Sequence, residues 1–245
     1  MFKKIANKIK RLPITSFRTI EELPEVVFFD YDGTIAEDKH LVEAFKYALK
    51  LNFDKKKDKD FLHNLRKIKK DSEQWAFIKA NMPQDVFVKC NEDYDVYISK
   101  QKICKVRGAV KLIKKFYKYG IPMFVISQKR GDGLREALKK AKLEEYFYKA
   151  YGTLDLGTLQ KPSKEFCDKV LEDCKMKGKR IWMIGDRYSD VLTALNFGGK
   201  AFIIKKCEVE KIQLEQGDLV GKDVFFTSFR RLKGLIKKIH RQQTN

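Results

Sequence analysis

Apolar residues along the chain fall into two kinds of pattern. Short unbroken runs occur at Val26 to Phe29, Ile121 to Ile126, Ile181 to Ile184, Ala201 to Ile204 and Val224 to Phe226, with a weaker one near Phe147 to Tyr151. Runs of this length bounded by turn residues predict strands covered on both faces. Between them, apolar positions recur at helical spacing: Val110, Ile113, Phe116 and Tyr117 before Gly120, then Leu134, Ala137, Leu138 and Ala141 after Gly133. Phe166, Val170 and Leu171 do the same after Pro162, which is expected in a first helical turn. Strand and helix in alternation imply a parallel sheet with right-handed crossovers. A last stripe, Phe229, Leu232, Leu235, Ile236 and Ile239, is expected to pack on that sheet.

One span breaks the alternation. From about Asp38 to Val106 the pattern is helical throughout, at Leu41, Phe45, Ala48 and Leu49, at Phe61, Leu62, Leu65 and Ile68, at Trp75, Phe77 and Ile78, and at Val86 and Val88. The expected organisation is a basic segment 1–22, an α/β core formed by 23–37 and 107–229, a helical cap 38–106 inserted into it, and a basic helix or tail 230–245. An insert directly behind the first strand is a candidate lid, able to exclude water and grip a substrate.

Charge adds one feature and composition removes several classes. Of 245 residues, 53 are Lys or Arg and 33 are Asp or Glu, a formal charge of +20. Met1 to Arg18 and Arg230 to Arg241 each carry six basic residues and no acid, so the ends supply much of the excess. Weak contact with a polyanion or an anionic membrane surface is the partner this suggests, while the simpler reading is a solvated lysine-rich surface; no specific nucleic-acid site is evident. No apolar run approaches the roughly 20 residues of a membrane-spanning helix. Phe2, Ile5, Ala6 and Ile9 share one helical face opposite lysines, but no secretory core is present, and five cysteines without metal-ligand spacing fit a reducing compartment. The expected location is therefore cytoplasmic. His40, His63 and His240 show no metal-ligand spacing, and Lys129 and Arg130 after Ser127 could touch substrate, although a solvated loop is the simpler reading.

The first strand carries the candidate chemistry. Val26 to Phe29 runs straight into Asp30-Tyr31-Asp32-Gly33-Thr34. In open α/β sheets ligands bind beyond the carboxyl ends of the strands, so the acid pair stands where chemistry is expected. A calcium loop also opens with this spacing, but it needs glycine at the sixth position and glutamate at the twelfth, and these are Ile35 and Leu41. Three further strand or loop ends bear polar residues: Ser127 after Pro122 to Ile126, Lys161 before Pro162, and Gly185-Asp186-Arg187-Tyr188-Ser189-Asp190 after Ile181 to Ile184.

In this order, D-x-D-G-T, a strand-end serine, a lysine before a helix and G-D-x-x-x-D resemble the four motifs of the haloacid dehalogenase superfamily over roughly Glu25 to Ile204. The resemblance implies a Rossmann-like α/β core with an α-helical cap, like the phosphoglycolate phosphatase and β-phosphoglucomutase branch. It implies a Mg²⁺-dependent phosphomonoester hydrolase acting on a small phosphorylated metabolite. Asp30 would be the nucleophile and form an aspartyl-phosphate, with Asp32 as acid and base. Thr34, Ser127 and Lys161 would bind phosphate, and Asp30, Asp186 and the main-chain carbonyl of Asp32 would hold the metal, with Asp190 behind them. Asp32 disfavours dehalogenation. A phosphomutase of the same fold, a phosphonatase using a cap lysine, and a polyanion-binding protein relying on the basic segments remain the alternatives.

Overall fold

The computed structural model describes residues 15–52, 59–67, 77–78, 80–204, 212 and 215–244. The basic stretch before Thr15 and, in the insert, Ile68 and Trp75 lie outside these residues. The chain divides into two compact units, one formed by Met1–Glu37 with Ile103–Asn245 and the other by Asp38–Lys102.

The larger unit is built on six parallel strands in the order β3-β2-β1-β4-β5-β6. They are β1 (Val26–Phe29), β2 (Met123–Arg130), β3 (Lys149–Thr153), β4 (Ile181–Gly185), β5 (Lys200–Ile203) and β6 (Val224–Phe226). Because strand side chains alternate between faces, each apolar run feeds two cores. Val27 and Phe29 of β1 join Val125, Trp182, Ile184, Phe202 and Phe225 on one face, whereas Val26 and Phe28 join Ile126, Met183, Ile203 and Phe226 on the other.

Helices cover both faces. The first core is closed by α4 (Ala109–Lys118), α5 (Gly131–Lys140) and α8 (Phe229–Thr244), through Leu112, Ile113 and Phe116, through Leu134 and Leu138, and through Phe229, Leu232, Ile236 and Ile239. The second is closed by α6 (Lys164–Asp173) and α7 (Tyr188–Asn196), through Phe166, Val170 and Leu171 and through Val191 and Ala194. The C-terminal stripe thus packs on the sheet, which leaves its charged positions Arg230, Lys237 and Arg241 exposed. Phe28 lies between the rings of Phe197 and Phe124, with centroids at 4.6 and 5.3 Å, and fixes α7 against the centre of the sheet.

Two local expectations change. Pro162 does not open α6: Ser163 caps that helix, its hydroxyl accepting from the Phe166 amide at 3.2 Å, and the Lys161–Pro162 peptide is cis. β2 does not stop before Ser127 but continues to Arg130, with an irregularity in its pairing to β3 between Ile126 and Arg130. Polar residues past Ile126 hide this extension from an apolar-run reading.

In the smaller unit, the described helices are α1 (Lys39–Asn52), α2 (Lys59–Lys67) and α3 (Gln84–Lys100). Phe45, Ala48, Leu65, Ile78, Met82 and Cys90 form its own core. Asn52 ties α1 to α3, its amide donating to Asp93 at 2.7 Å. The strand-end residues on either side of this unit pair within the larger one, where the Glu37 amide donates to the Cys104 carbonyl and the Val106 amide to that of Ile35. Among the described residues no helix is long and apolar enough to cross a membrane.

Candidate active site

Since all six strands are parallel, their carboxyl ends share one edge of the sheet. β1 ends at Phe29, and the Asp30 amide donates to the Ile184 carbonyl of β4, which holds Asp30 at the centre of that edge. The chain then turns sharply. Gly33 adopts φ 84°, a conformation that side chains rarely tolerate, and the Tyr31 carbonyl accepts from the Ile35 and Ala36 amides at 2.8 and 3.0 Å.

Asp30 is buried, and both of its carboxylate oxygens have partners. Oδ1 accepts a short hydrogen bond from Lys161 Nζ, and Oδ2 accepts one from the Thr34 hydroxyl at 3.1 Å. Thr34 also lies 3.3 Å from Asp186 Oδ1. The turn thus places the Thr34 hydroxyl between the carboxylates of Asp30 and Asp186.

Lys161, 4% exposed in its side chain, gathers the elements. Its ammonium donates to Asp30, to Asp190 Oδ1 at 2.8 Å and to the Ile126 carbonyl at 3.3 Å, which uses all three protons. Asp190 Oδ2 accepts from the Asp186 and Arg187 amides at 3.0 and 2.9 Å, and so caps the first turn of α7. Gly185 is required beside it, since a Cβ at that position would fall on the Asp190 carboxyl group.

The sequence-selected residues therefore divide into two depths. Asp30, Thr34, Lys161, Asp186 and Asp190 form one buried network, and Ser127 adjoins it because the carbonyl of Ile126 belongs to the network. Asp32 is more open: among the described residues it lies 3.7 Å from the Lys129 ammonium, with side chains 21% and 14% exposed respectively. The solvated-loop reading of Lys129 is corrected by this position, whereas Arg130 is exposed and pairs with Asp132 at 3.0 Å. Only the extension of β2 past Ser127 turns Lys129 inward, and its polar sequence gave no sign of that.

Electrostatics sharpen the picture. Burial pushes the Asp30 carboxyl up to about 8; Lys161 opposes the shift, and Asp190 and Asp186 add to it. Burial pulls Lys161 down, yet Asp190 and Asp30 outweigh it and hold the ammonium above the ordinary lysine value. Asp30, Asp186 and Asp190 offer oxygens within 4.8 Å of one another. Buried carboxylates of Asp30, Asp186 and Asp190 gathered at one strand edge are oxygen donors of the kind a hard divalent cation takes.

The family model for haloacid dehalogenase-like hydrolases matches residues 27–204, from β1 past the end of β5. The chain belongs to this family. Among solved structures, a predicted phosphatase from Clostridium acetobutylicum superposes with a TM-score of 0.66 at 19% identity, covering 89% of this chain and 100% of its own. A predicted phosphoglycolate phosphatase from Haemophilus somnus gives 0.65 at 14% identity, covering 86% and 97%. CbbY from Rhodobacter sphaeroides in complex with xylulose-(1,5)bisphosphate gives 0.62 at 16%, covering 84% and 95%. At such identities the likeness establishes the shared fold. No curated protein matches the chain.

Proposed function

We propose that this family member is a Mg²⁺-dependent phosphomonoester hydrolase that acts on a small phosphorylated metabolite through an aspartyl-phosphate on Asp30. The observation that carries this reading is the placement of Asp30: a buried carboxylate at the centre of the ligand-binding edge, held by Lys161 and Thr34 beside a second acid, Asp186.

The donor set suits a hard divalent cation. Carboxylates of Asp30 and Asp186, with the main-chain carbonyl of Asp32, are oxygen ligands of the kind Mg²⁺ takes. Asp190 is committed to Lys161 and to two amides, so it orients the ligands rather than joining them. When bound, the metal would neutralise phosphoryl oxygens and hold the group in line with Asp30.

The protein's own residues then divide the work. An Asp30 oxygen attacks phosphorus, the bond to the substrate oxygen breaks, and Asp32 delivers a proton to that oxygen. Asp32 next takes a proton from water as its oxygen attacks phosphorus, which releases inorganic phosphate and restores the Asp30 carboxylate. Lys161 lies against the nucleophile and supplies positive charge where it develops on the phosphoryl oxygens, while the Ser127 hydroxyl is the neighbouring neutral donor. The basic segments take no part in this scheme.

Purified protein assayed against a panel of phosphorylated metabolites should release inorganic phosphate with Mg²⁺ and none with excess chelator. Release without any bisphosphate activator separates hydrolase from mutase. A panel without turnover, or turnover that survives chelation, overturns the assignment.

A further inference from the structure

Two helices on one face of the sheet concentrate the positive charge of the chain. α4 carries four lysines and α8 six Lys or Arg, and neither contains an acid. Their apolar residues are committed to the first core, so the charges point outward: Lys111, Lys118, Arg230, Lys237 and Arg241 are exposed. Lys115 lies over the Tyr119 ring at 4.4 Å, and that ring stacks on His240 of α8 at 3.6 Å, which joins the helices into one surface. Tyr117, more than half a turn round α4 from Lys115, meets Tyr146 instead, so Glu144 and Glu145 beside that ring stand on the side away from α8. Elsewhere exposed lysines are matched by acids, as Lys140 is by Glu136, Lys149 by Asp173 and Lys164 by Asp168. A surface that is merely solvated needs no such segregation of sign.

Shape and the adjoining chain select the partner. Two packed helices are about 20 Å across, too wide for the ~12 Å major groove that admits one helix. Their one exposed aromatic ring, Tyr117, is packed edge-on against Tyr146 at 5.1 Å, and a single ring makes no platform for stacked bases. A broad cationic face of this kind matches a flat anionic one. An apolar element joins it at the border. Thr15 exchanges hydrogen bonds with Phe226, three residues before α8 begins, and the Arg231 guanidinium of α8 lies 5.3 Å over the Phe17 ring. In the sequence before Thr15, Phe2, Ile5, Ala6 and Ile9 fall at helical spacing among five Lys or Arg residues. An apolar stripe among cations is of use at a lipid headgroup layer and of none on nucleic acid. We propose that the outward face of α4 and α8 is a docking surface for an anionic lipid bilayer, with the segment before Thr15 entering its headgroup layer. The face covers one side of the sheet and the candidate active site stands at its carboxyl edge, so the proposal is independent of the hydrolase reading.

The test is co-sedimentation of the full chain with phosphatidylcholine vesicles, with and without phosphatidylglycerol, at roughly 0.1 M salt. The protein should pellet with the anionic vesicles alone and be released near 1 M salt, where the screening length falls to about 3 Å. The triple variant K111Q/K118Q/K237Q should weaken the partition at least ~30-fold. The same loss of charge in K164Q/K169Q/K177Q, exposed on and just after α6 on the other side of the sheet, should weaken it less than ~3-fold. I5S/I9S, which interrupts the apolar stripe, should cost at least ~10-fold. All six lysines are exposed, so the thermal midpoint of either triple should stay level, which separates lost docking from lost folding. Should the first triple unfold, K118Q and K237Q singly carry the same test, each with a loss of about 3- to 5-fold. Equal retention by neutral and anionic vesicles, equal losses in the two lysine triples, or retention unaffected by I5S/I9S overturns the proposal. So does binding to an RNA duplex without retention on anionic vesicles, which would assign the face to nucleic acid.

Discussion

Asp30→Asn should lower kcat by at least ~10⁴-fold on every ester the wild-type protein accepts, with KM little changed, because the amide fills the same space but cannot form the phosphoryl bond. The fold should survive. Asn keeps an oxygen for the Lys161 ammonium and removes a carboxyl whose burial opposes its ionised form, so the thermal midpoint in chelator should stay level or rise. Steady-state kinetics and thermal unfolding on the same preparation check both halves. Wild-type-like turnover in this variant would remove Asp30 from the chemistry.

The second large effect is on stability. Lys161→Met replaces the buried ammonium with an apolar side chain of similar length and leaves the carboxylates of Asp30 and Asp190 unpaired. Breaking a buried pair in this way costs about 3–5 kcal/mol. The cost should depend on pH. The folded-state value of Asp30 is raised, to about 8, above its ordinary range near 4. A carboxyl shifted upward contributes stability that is complete below about pH 4 and is lost as pH rises through about 8, since only the folded state then holds the proton. With Lys161 gone, nothing opposes that rise, so denaturant unfolding in chelator should show a smaller deficit at pH 5 than at pH 8. A deficit independent of pH would mean that the lysine acts through packing rather than charge. Activity should fall as well, because positive charge at the nucleophile is lost.

Much of this arrangement was legible in the chain, for identifiable reasons. β1, β4 and β6 are buried on both faces, so nothing but apolar residues fits and the runs mark the strands almost to the residue. The helices that cover the sheet announce themselves equally well, because one face of each must be apolar. Side-chain traffic within the site was not legible. Spacing places Asp32 beside Asp30, and only the structure shows that its carboxylate lies 3.7 Å from the Lys129 ammonium. Nor did spacing show that the Thr34 hydroxyl lies within hydrogen-bond reach of both Asp30 and Asp186, either of which can take its single proton. Lys129 looked like part of a solvated loop because a strand end that enters a polar site has no apolar signature. Local pattern reports burial faithfully, whereas the pairing of polar groups depends on which distant elements the fold brings together.

The same logic explains why Asp186 and Asp190 carry little weight as isolated residues. Two acids at a helix start are ordinary helix chemistry. Only their contact with Asp30 through Thr34 and Lys161, across 152 and 131 residues of chain, makes them members of one site.

In the proposed reaction Asp30 takes the phosphoryl group. Quenching the wild-type protein during turnover with Mg²⁺ and an accepted ester, then reducing with borohydride, converts an acyl phosphate to an alcohol and marks the residue that carried it. Mass analysis of the peptide containing Val26 to Thr34 should show the reduced side chain at position 30, and no such mark when the metal is chelated. Full turnover with an unmarked Asp30, or a phosphoryl group found on any other residue, would contradict the account.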